Sequence, residues 1–237
     1  MKGTIAVRKM ADQNGAIIQR DGRRYAVVTR MPAGIVTPDD LEKVAKVGRK
    51  YRVHMLKITS GQRIALVGIE ADDVATIIDE LGPLAKPETA PCVKFVQACL
   101  GIEMCRYGNQ DALGLARAVD ERFKDLTFPA KIKIGISGCP RCCSESHTRD
   151  IGIMGTNKGW TVLFGGNAGT RPRFADLVAR DLSAPDALDC AVRLSEYYRA
   201  HAKAHERTAR FMERIGMETL KSELLTFLPY IKIEKVS

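Results

Sequence analysis

The 237-residue sequence predicts an α+β fold made of two consecutive domains. Two observations carry this prediction. Short apolar strand candidates alternate with well-capped helix candidates in the first third of the chain, and a stretch with three prolines, LGPLAKPETAP at residues 81–91, separates that part from the rest. We therefore predict domains at residues 1–87 and 88–237, the second combining strands, glycine-rich loops and closing helices.

In the first domain, the start of one helix is the most specific local signal. Thr37 is a good N-cap, Pro38 suits the first helical position, and acidic residues follow in the first turn. Strand candidates precede and follow this helix, and a further helix closes the domain. The order strand, helix, strand, strand, helix predicts a ferredoxin-like half domain. The predicted elements lie at residues 25–29, 38–51, 53–59, 63–69 and 71–81.

The second domain is predicted to be α/β and to end in helices. A helix is expected at residues 111–123, and strands at 131–136 and 160–164. From Pro185 onward the chain should be helical, because Ala187, Ala191, Leu194 and Tyr198 recur at the spacing of one helix face. A second helical stretch is predicted over about residues 206–225.

Composition excludes several classes of protein. Hydrophobic residues make up 45% and charged residues 27%, as in ordinary globular proteins, and no apolar run approaches the roughly 18 to 20 residues of a membrane span. The start, MKGTIAVRKM, lacks the apolar core of a secretory signal. Seven cysteines are an odd number for a disulfide framework, so reduced thiols and a cytoplasmic location are expected.

The formal charge of +9 could attract nucleic acid, a membrane surface, acidic proteins or small anions. The basic residues are scattered, aromatic residues are only 6%, and no groove-binding or base-stacking motif is present. We therefore expect neither a nucleic-acid nor a membrane partner, and favour anions or acidic proteins.

The cysteine spacing carries the main chemical prediction. Cys99 and Cys105 form C-x5-C, and after 33 intervening residues Cys139 and Cys143 form C-x3-C. Four thiolates on sharply turning loops can hold an iron–sulfur cubane. Zinc is an alternative occupant, although its paired cysteines usually have two to four residues between them, and merely buried cysteines are another.

The remaining cysteines are less informative. Cys142 could form a C-x2-C pair with Cys139. Cys92 and Cys190 stand alone in the sequence and are predicted to be structural, because isolated cysteines behave as small hydrophobic residues.

Several segments together resemble the sirohaem and 4Fe-4S family of nitrite and sulfite reductases. They are ACLGIEMC, KIKIGISGCPRCC, LFGGNAG and, in the first domain, LKITSGQRIALVGI, so the resemblance covers nearly the whole chain. It implies that Cys99, Cys105, Cys139 and Cys143 hold the cluster, and that Cys143 also bridges to the sirohaem iron.

The resemblance also implies a set of basic and amide groups around the sirohaem and its substrate. A macrocycle with many carboxylates needs cations and N–H donors around it. Alternation along KIKIG places the two lysines of this strand on one face, where they could bind the anion and supply protons. The candidate catalytic residues are Lys131, Lys133, Lys94 and Lys57, and the candidate cofactor-binding residues are Cys143, Gln62, Arg63, Gly165, Gly166, Asn167, Arg171 and Arg173.

Three departures from the family pattern bear on function. Gly61 stands where the family often has a substrate-contacting arginine, Arg141-Cys142 alters the C-x3-C loop, and the chain holds one copy of a unit that larger members contain twice. A homodimer could restore the missing half.

The activity implied is the six-electron reduction of sulfite to sulfide, with electrons from a donor protein such as a ferredoxin. Nitrite is the alternative substrate. A non-catalytic electron-transfer subunit and a zinc-stapled binding module are the alternatives of other classes.

Overall fold

The computed structural model describes residues 15–85 and 91–227, and the chain divides into two compact units, Met1–Ala90 and Pro91–Ser237. The predicted domain boundary between residues 87 and 88 lies outside the described residues, as do parts of both termini.

The first unit is a four-stranded antiparallel sheet with two helices. Its strand order is β1-β2-β4-β3. The elements are β1 Ile17–Ile18, β2 Tyr25–Val28, α1 Pro38–Lys50, β3 Met55–Ile58, β4 Ile64–Ile69 and α2 Val74–Leu81. The predicted order of elements is confirmed, with β1 as an additional short strand.

Helix α1 begins where the sequence predicts. Thr37 Oγ1 accepts a hydrogen bond from the N–H of Asp40 at 3.1 Å, and the Asp40 carboxylate accepts one from the N–H of Thr37 at 2.9 Å. This capping box satisfies two helix-end donors reciprocally. The apolar face of the sheet packs on both helices through side chains such as Leu66, Ile69 and Ile77, whereas the edge strand β3 is exposed along its length.

The second unit is a five-stranded mixed sheet with order β5-β6-β7-β8-β9. The first three strands are parallel, and the last two are antiparallel additions. The strands are β5 Val93–Ala98, β6 Ile132–Ser137, β7 Ile151–Thr156, β8 Gly159–Phe164 and β9 Asp176–Leu182, and the helices are α3 Ala112–Phe123, α4 Ala184–His201, α5 Thr208–Ile215 and α6 Met217–Phe227. Strands β5, β7 and β9 were not predicted.

The core of the second unit lies between the sheet and helices α3 and α4. Ile132, Ile134 and Ile136 of β6 are fully buried, because alternate residues of a strand point to the same face and this face packs in the core. The predicted stripe of α4 is confirmed, because Ala187, Ala191, Leu194 and Tyr198 are all inaccessible to solvent.

The helical stretch predicted over residues 206–225 is confirmed, but it is not continuous. The chain forms two helices there, α5 and α6, with Gly216 between them at φ +79°. A positive φ ends a helix, and glycine adopts it without steric cost. Among the described residues, no helix is both long and apolar enough to cross a membrane.

Candidate functional site

Cys99 and Cys139 lie at the same edge of the second sheet. Cys99 follows β5 directly, and Cys139 follows β6 after Gly138. These two strands are parallel neighbours with Ala98 paired to Ile136, so their carboxyl ends meet. The N–H of Gly138 donates a hydrogen bond to Cys99 Sγ at 3.1 Å, which joins the two cysteine-bearing loops at a sulfur atom.

The loop that carries Cys99 and Cys105 turns at Gly101, whose φ is +66°. The N–H of Cys105 donates to the Gly101 carbonyl at 2.9 Å, and the N–H of Ile102 donates to the Gln110 carbonyl at 2.9 Å. A Cβ atom on Gly101 would lie 2.6 Å from the backbone nitrogen of Ala112. The loop thus needs glycine at this position for both its dihedral angle and its packing.

The two cysteine loops pack backbone against backbone. The Gly138 carbonyl accepts hydrogen bonds from the N–H groups of Asn109 and Gln110, at 2.8 and 3.0 Å. A Cβ atom on Gly138 would lie 2.7 Å from the Gly101 Cα and 2.8 Å from the Gln110 carbonyl oxygen. We name this contact of Gly101, Gly138 and Gln110 the glycine lock.

The C-x3-C loop makes two residues adopt left-handed backbone conformations. Cys142 has φ +57° and Glu145 has φ +55°. The turn presents its cysteines unequally, because Cys139 is 7% exposed whereas Cys143 is exposed. All seven cysteines are free thiols. An exposed Cys143 is open to a second binding group, as the bridging role predicted for it requires.

The chain after Cys143 crosses the face of the sheet over two glycines. Ser146 Oγ lies 3.0 Å from the carbonyl oxygens of both Gly135 and Ile153, and 2.9 Å from Ser137 Oγ. A Cβ atom on Gly152 would lie 2.0 Å from the Ser146 carbonyl oxygen, and one on Gly135 would lie 2.4 Å from the Ser144 carbonyl oxygen. The segment following Cys143 is therefore held flat on the sheet.

Lys131 and Lys133 stand at the amino end of β6. Ile132 and Ile134 are buried, whereas Lys131 is exposed and Lys133 half-buried, in agreement with the predicted alternation. Lys133 Nζ lies 5.7 Å from the centre of the Phe95 ring. Burial, followed by the nearby charges of Arg207, Lys131 and Arg149, lowers the pKa of Lys133, and Asp150 partly offsets this.

Arg149 is a buried cation that the sequence analysis missed. It is 4% exposed, and its Nη2 donates to Gln97 Oε1 at 2.5 Å and pairs with Glu145 at 3.0 Å. Its guanidinium carbon lies 5.3 Å from the centre of the Phe95 ring, so Arg149 and Lys133 both contact this ring. The local sequence TRD carries no signal for this role.

Asp150 was missed as well, and it joins three elements. This carboxylate is 1% exposed and accepts hydrogen bonds from the Lys133 N–H at 2.8 Å and from Thr208 Oγ1 at 2.5 Å. It also forms an ion pair with Arg207 at 2.7 Å. The Asp150 N–H donates in return to the Lys133 carbonyl at 3.0 Å. Asp150 thus fixes the backbone of Lys133 to the start of helix α5.

The predicted cofactor-binding loop after β8 is held by internal hydrogen bonds. The N–H groups of Gly165 and Gly166 donate to the carbonyls of Asp150 and Arg149, each at 2.9 Å. Asn167 pairs with Arg173 through the backbone, and the Arg173 side chain binds the Gly165 carbonyl and Asp176. Arg171 is exposed and lies 3.5 Å from Glu213. The roles of these residues toward a cofactor stay predictions.

Three predicted residues lie in the first unit. Lys57 is on the edge strand β3, and Gln62, with φ +57°, and Arg63 belong to the β3–β4 turn that also contains Gly61. Lys94 is on β5 of the second unit. Their proposed binding roles likewise stay predictions.

The isolated cysteine Cys190 is structural, as predicted. It is inaccessible to solvent on helix α4, and burial raises the pKa of its thiol to about 12. Cys92 forms an isolated β-bridge with Thr127 and is half-buried.

Models of known families match both units. The "Nitrite and sulphite reductase 4Fe-4S domain" matches residues 89–229, and the "Nitrite/Sulfite reductase ferredoxin-like half domain" matches residues 17–84. The chain belongs to the nitrite and sulfite reductase family. The ferredoxin-like half domain and the family resemblance are thereby confirmed.

Two relatives in this family differ in how much of their length the chain spans. The assimilatory-type sulfite reductase of Nitratidesulfovibrio vulgaris is 45% identical over 91% of this chain and 100% of that protein. An NAD(P)H nitrite reductase of Bacillus subtilis is 37% identical over 88% of this chain but only 26% of that protein. Both are enzymes, as is expected of this chain.

Solved structures of the family share the fold. Dissimilatory sulfite reductase I matches with a TM-score of 0.77 at 16% identity, covering 89% of this chain and 70% of the other. The NirA protein of Mycobacterium tuberculosis matches with a TM-score of 0.73 at 22% identity, covering 88% of this chain and 41% of the other.

Membership of this family implies a 4Fe-4S cluster and a sirohaem, as the sequence predicted. No group of three or more His, Cys, Asp or Glu side chains within residues 15–85 and 91–227 is arranged for a single metal ion. In a cubane each cysteine binds a different iron, so its ligands stand farther apart.

The donor set fits a cluster, since the four predicted ligands are among the five free thiols of the two loops joined by the glycine lock, and Cys99 Sγ already accepts an N–H. Beside Cys143, Ser144 Oγ is buried with no hydrogen-bond partner in the described part of the chain. A polar group held at Cys143 could satisfy this hydroxyl.

Proposed function

We propose that this protein reduces sulfite to sulfide by six electrons at a sirohaem coupled to a 4Fe-4S cluster. The observation that carries the proposal is the pair of cysteine loops fixed by the glycine lock, with Cys143 as the exposed member of the set. The relative that this chain spans end to end is named as an assimilatory-type sulfite reductase, which supports sulfite as the substrate.

Cys99, Cys105, Cys139 and Cys143 would hold the cluster, and Cys143 would also reach the sirohaem iron. When bound, these groups supply one-electron transfer and an iron that accepts the anion. The reaction is HSO3− + 6 e− + 6 H+ → HS− + 3 H2O, so the protein must deliver a proton with every electron.

Lys131 and Lys133 are the proposed anion-binding and proton-donating groups. Cations neutralise the charge of sulfite, and each Nζ can pass a proton to a leaving oxygen. The lowered pKa of Lys133 makes its ammonium group a stronger acid than an ordinary lysine, which suits it to this task. Asp150 acts as a positioning residue, because it holds the Lys133 backbone rather than the anion.

The number of copies of the family's unit supports the proposed homodimer. The chain holds one copy of a unit that larger members contain twice. Two chains together would supply two copies, so we propose that the lysine pair of a second chain completes the site formed at the cysteines of the first.

The test is anaerobic purification of protein made with iron and sirohaem supplied, followed by a visible spectrum, an iron assay and a turnover assay with reduced methyl viologen. We expect iron, sirohaem absorbance and sulfide formed from sulfite. Iron-free protein from such cells would defeat the cofactor proposal. Both cofactors with no turnover would instead favour a non-catalytic electron-transfer subunit.

Nitrite is the second candidate substrate, because relatives at 36–39% identity are named as nitrite reductases. This chain spans only about a quarter of their length, with 23–26% covered. The same viologen assay with nitrite, following ammonium, decides between the two by the ratio of kcat/KM. We propose the cytoplasm as the compartment, because it keeps thiols reduced.

A further inference from the structure

The loop between Cys99 and Cys105 carries exposed apolar side chains that the proposed reaction does not use. Leu100 is 53% exposed, Ile102 52% and Met104 71%, and Tyr107 just beyond the loop is 42% exposed. We name these four residues the loop patch. Single exposed apolar residues are normal, but four within residues 100–107 form one continuous region of the chain.

Packing and hydrogen bonds fix the backbone of this loop. Gly101 is held at positive φ against Ala112, and the Ile102 N–H is bonded to the Gln110 carbonyl. The loop is thus fixed by the glycine lock, and its side chains remain in water. A fixed apolar surface is typical of a docking site, since a partner gains the burial without ordering the loop.

The rim of the loop patch is mainly cationic. The guanidinium carbon of Arg141 lies 3.8 Å from the centre of the Tyr107 ring, and that of Arg106 lies 4.6 Å from it. Glu103 is the exposed acidic residue of the loop. The whole chain adds a formal charge of +9. Charge complementarity therefore favours an acidic partner.

We propose that the loop patch is the docking surface of an acidic, one-electron donor protein. The proposal rests on the proposed function, which requires six electrons delivered singly at the cluster. In each encounter the donor is oxidised by one electron and the cluster is reduced by one, with no atom transferred. A second copy of this chain fits the patch poorly, because it would bring the same arginines and a +9 charge against them.

Two reductants separate docking from catalysis. An acidic ferredoxin must dock, whereas reduced methyl viologen is a small molecule that needs no docking surface. We compare wild type with Met104→Ser and Arg106→Glu, and we use Leu41→Ser on helix α1 and Arg193→Glu on helix α4 as controls at other exposed positions. Binding of oxidised ferredoxin is also titrated directly, so that docking is measured without turnover.

We expect kcat/KM with ferredoxin to fall at least tenfold in both patch variants, with a weaker salt dependence in Arg106→Glu, and ferredoxin Kd to rise in parallel. Rates with viologen and both control variants should stay within twofold of wild type. Unchanged ferredoxin binding in the patch variants would overturn the proposal, as would an apparent mass that falls from two chains to one in Met104→Ser. If wild type does not reduce sulfite with viologen, the proposed function is refuted. The ferredoxin-binding titration then still tests whether the loop patch is a docking surface.

Discussion

Cys143 differs from the other four cysteines of the two loops in being exposed, although Cys139, four residues earlier, is buried. The left-handed turn at Cys142 produces this difference by turning the chain between them. A buried thiolate can bind one cluster iron, while an exposed one can also contact a second cofactor. The turn at Cys142 is thus consistent with the different roles proposed for Cys139 and Cys143.

The first prediction concerns this residue. Cys143→Ser replaces a soft thiolate by a hydroxyl, so we expect loss of the cluster and of its coupling to sirohaem together, and loss of sulfite reduction. Visible spectra and iron content are the measurements. Cys190→Ala is the matched control and should retain both cofactors, because Cys190 is a fully buried, neutral thiol. Unchanged spectra in Cys143→Ser would show that the bridge is elsewhere.

The second prediction follows from the lowered pKa of Lys133. The folded protein releases this proton at a lower pH than the unfolded chain does, so stability rises with pH between the folded pKa and the usual value of 10.5. Below that window Lys133 is charged in both states, and the burial of its charge destabilises the folded protein. Lys133→Gln should therefore have an equal or higher Tm at pH 7, while viologen-driven kcat falls at least tenfold.

Lys133→Arg separates anion binding from proton delivery. Arginine keeps the positive charge but does not give up a proton at neutral pH. We expect KM for sulfite to change little and kcat to fall, and the pH profile of kcat to lose the limb that Lys133 sets. If both constants stay at their wild-type values, Lys133 takes no part in the reaction.

At the scale of elements, the glycine lock determines whether the two cysteine loops can meet. Gly138→Ala places a Cβ 2.7 Å from the Gly101 Cα, where backbone must move. We expect a loss of about 1–3 kcal/mol in the free energy of unfolding of the cofactor-free protein, and a reduced iron content. Urea unfolding and iron assays are the measurements.

Gly48→Ala on helix α1 is the control for the glycine lock. Its Cβ would meet Val53 Cγ2 at 3.4 Å, an ordinary contact, and alanine favours a helix by up to about 1 kcal/mol. This variant should be as stable as wild type or more so. Equal effects of the two substitutions would mean that the glycine lock has room for a Cβ atom at position 138.

The elements that could be predicted from sequence are those with local signals. Thr37 and Pro38 mark the start of α1, and the spacing of apolar residues marks α4. Strand β7, IGIMGT, has no such signal, because two of its six residues are glycines, which are depleted in strands. The break at Gly216 was missed because glycine can also stand inside an apolar helical pattern.

In the candidate site, too, the features with a local signal are the ones that sequence could indicate. The two cysteine pairs could be recognised from their spacing along the chain, and their role as ligands stays a prediction. Arg149 and Asp150 could not be recognised, because their partners are distant in sequence: Gln97 is 52 residues from Arg149, and Arg207 is 57 residues from Asp150. Only the folded sheet brings these groups together around Lys133.

At the scale of the whole molecule, the proposed homodimer can be tested by mixing two inactive variants. Cys143→Ser protein lacks the bridge, and Lys131→Met, Lys133→Met protein lacks the cations, so each alone should be inactive. If the lysines act in the partner's site, each mixed dimer has one intact site and one inactive site. Random reassortment makes about half of the dimers mixed, so activity should return to about a quarter of the wild-type value.

The solution mass is the control for this experiment. A mass of two chains is expected, whereas a mass equal to one 26.1 kDa chain with full activity would remove the homodimer. Inactive mixtures that do form dimers would place the lysine pair and the cysteines of one site on the same chain.

The crossing segment after Cys143 has a consequence for assembly. Ser146 contacts carbonyls of both β6 and β7, so its docking place does not exist until those two parallel strands have paired. Cys143, the proposed bridge between the cofactors, is therefore positioned late, after the slow, non-local step of folding. We expect hydrogen exchange during refolding to protect the amides of Ile134 and Ile153 before that of Ser144, so that a cell must fold the sheet before it can load the cluster.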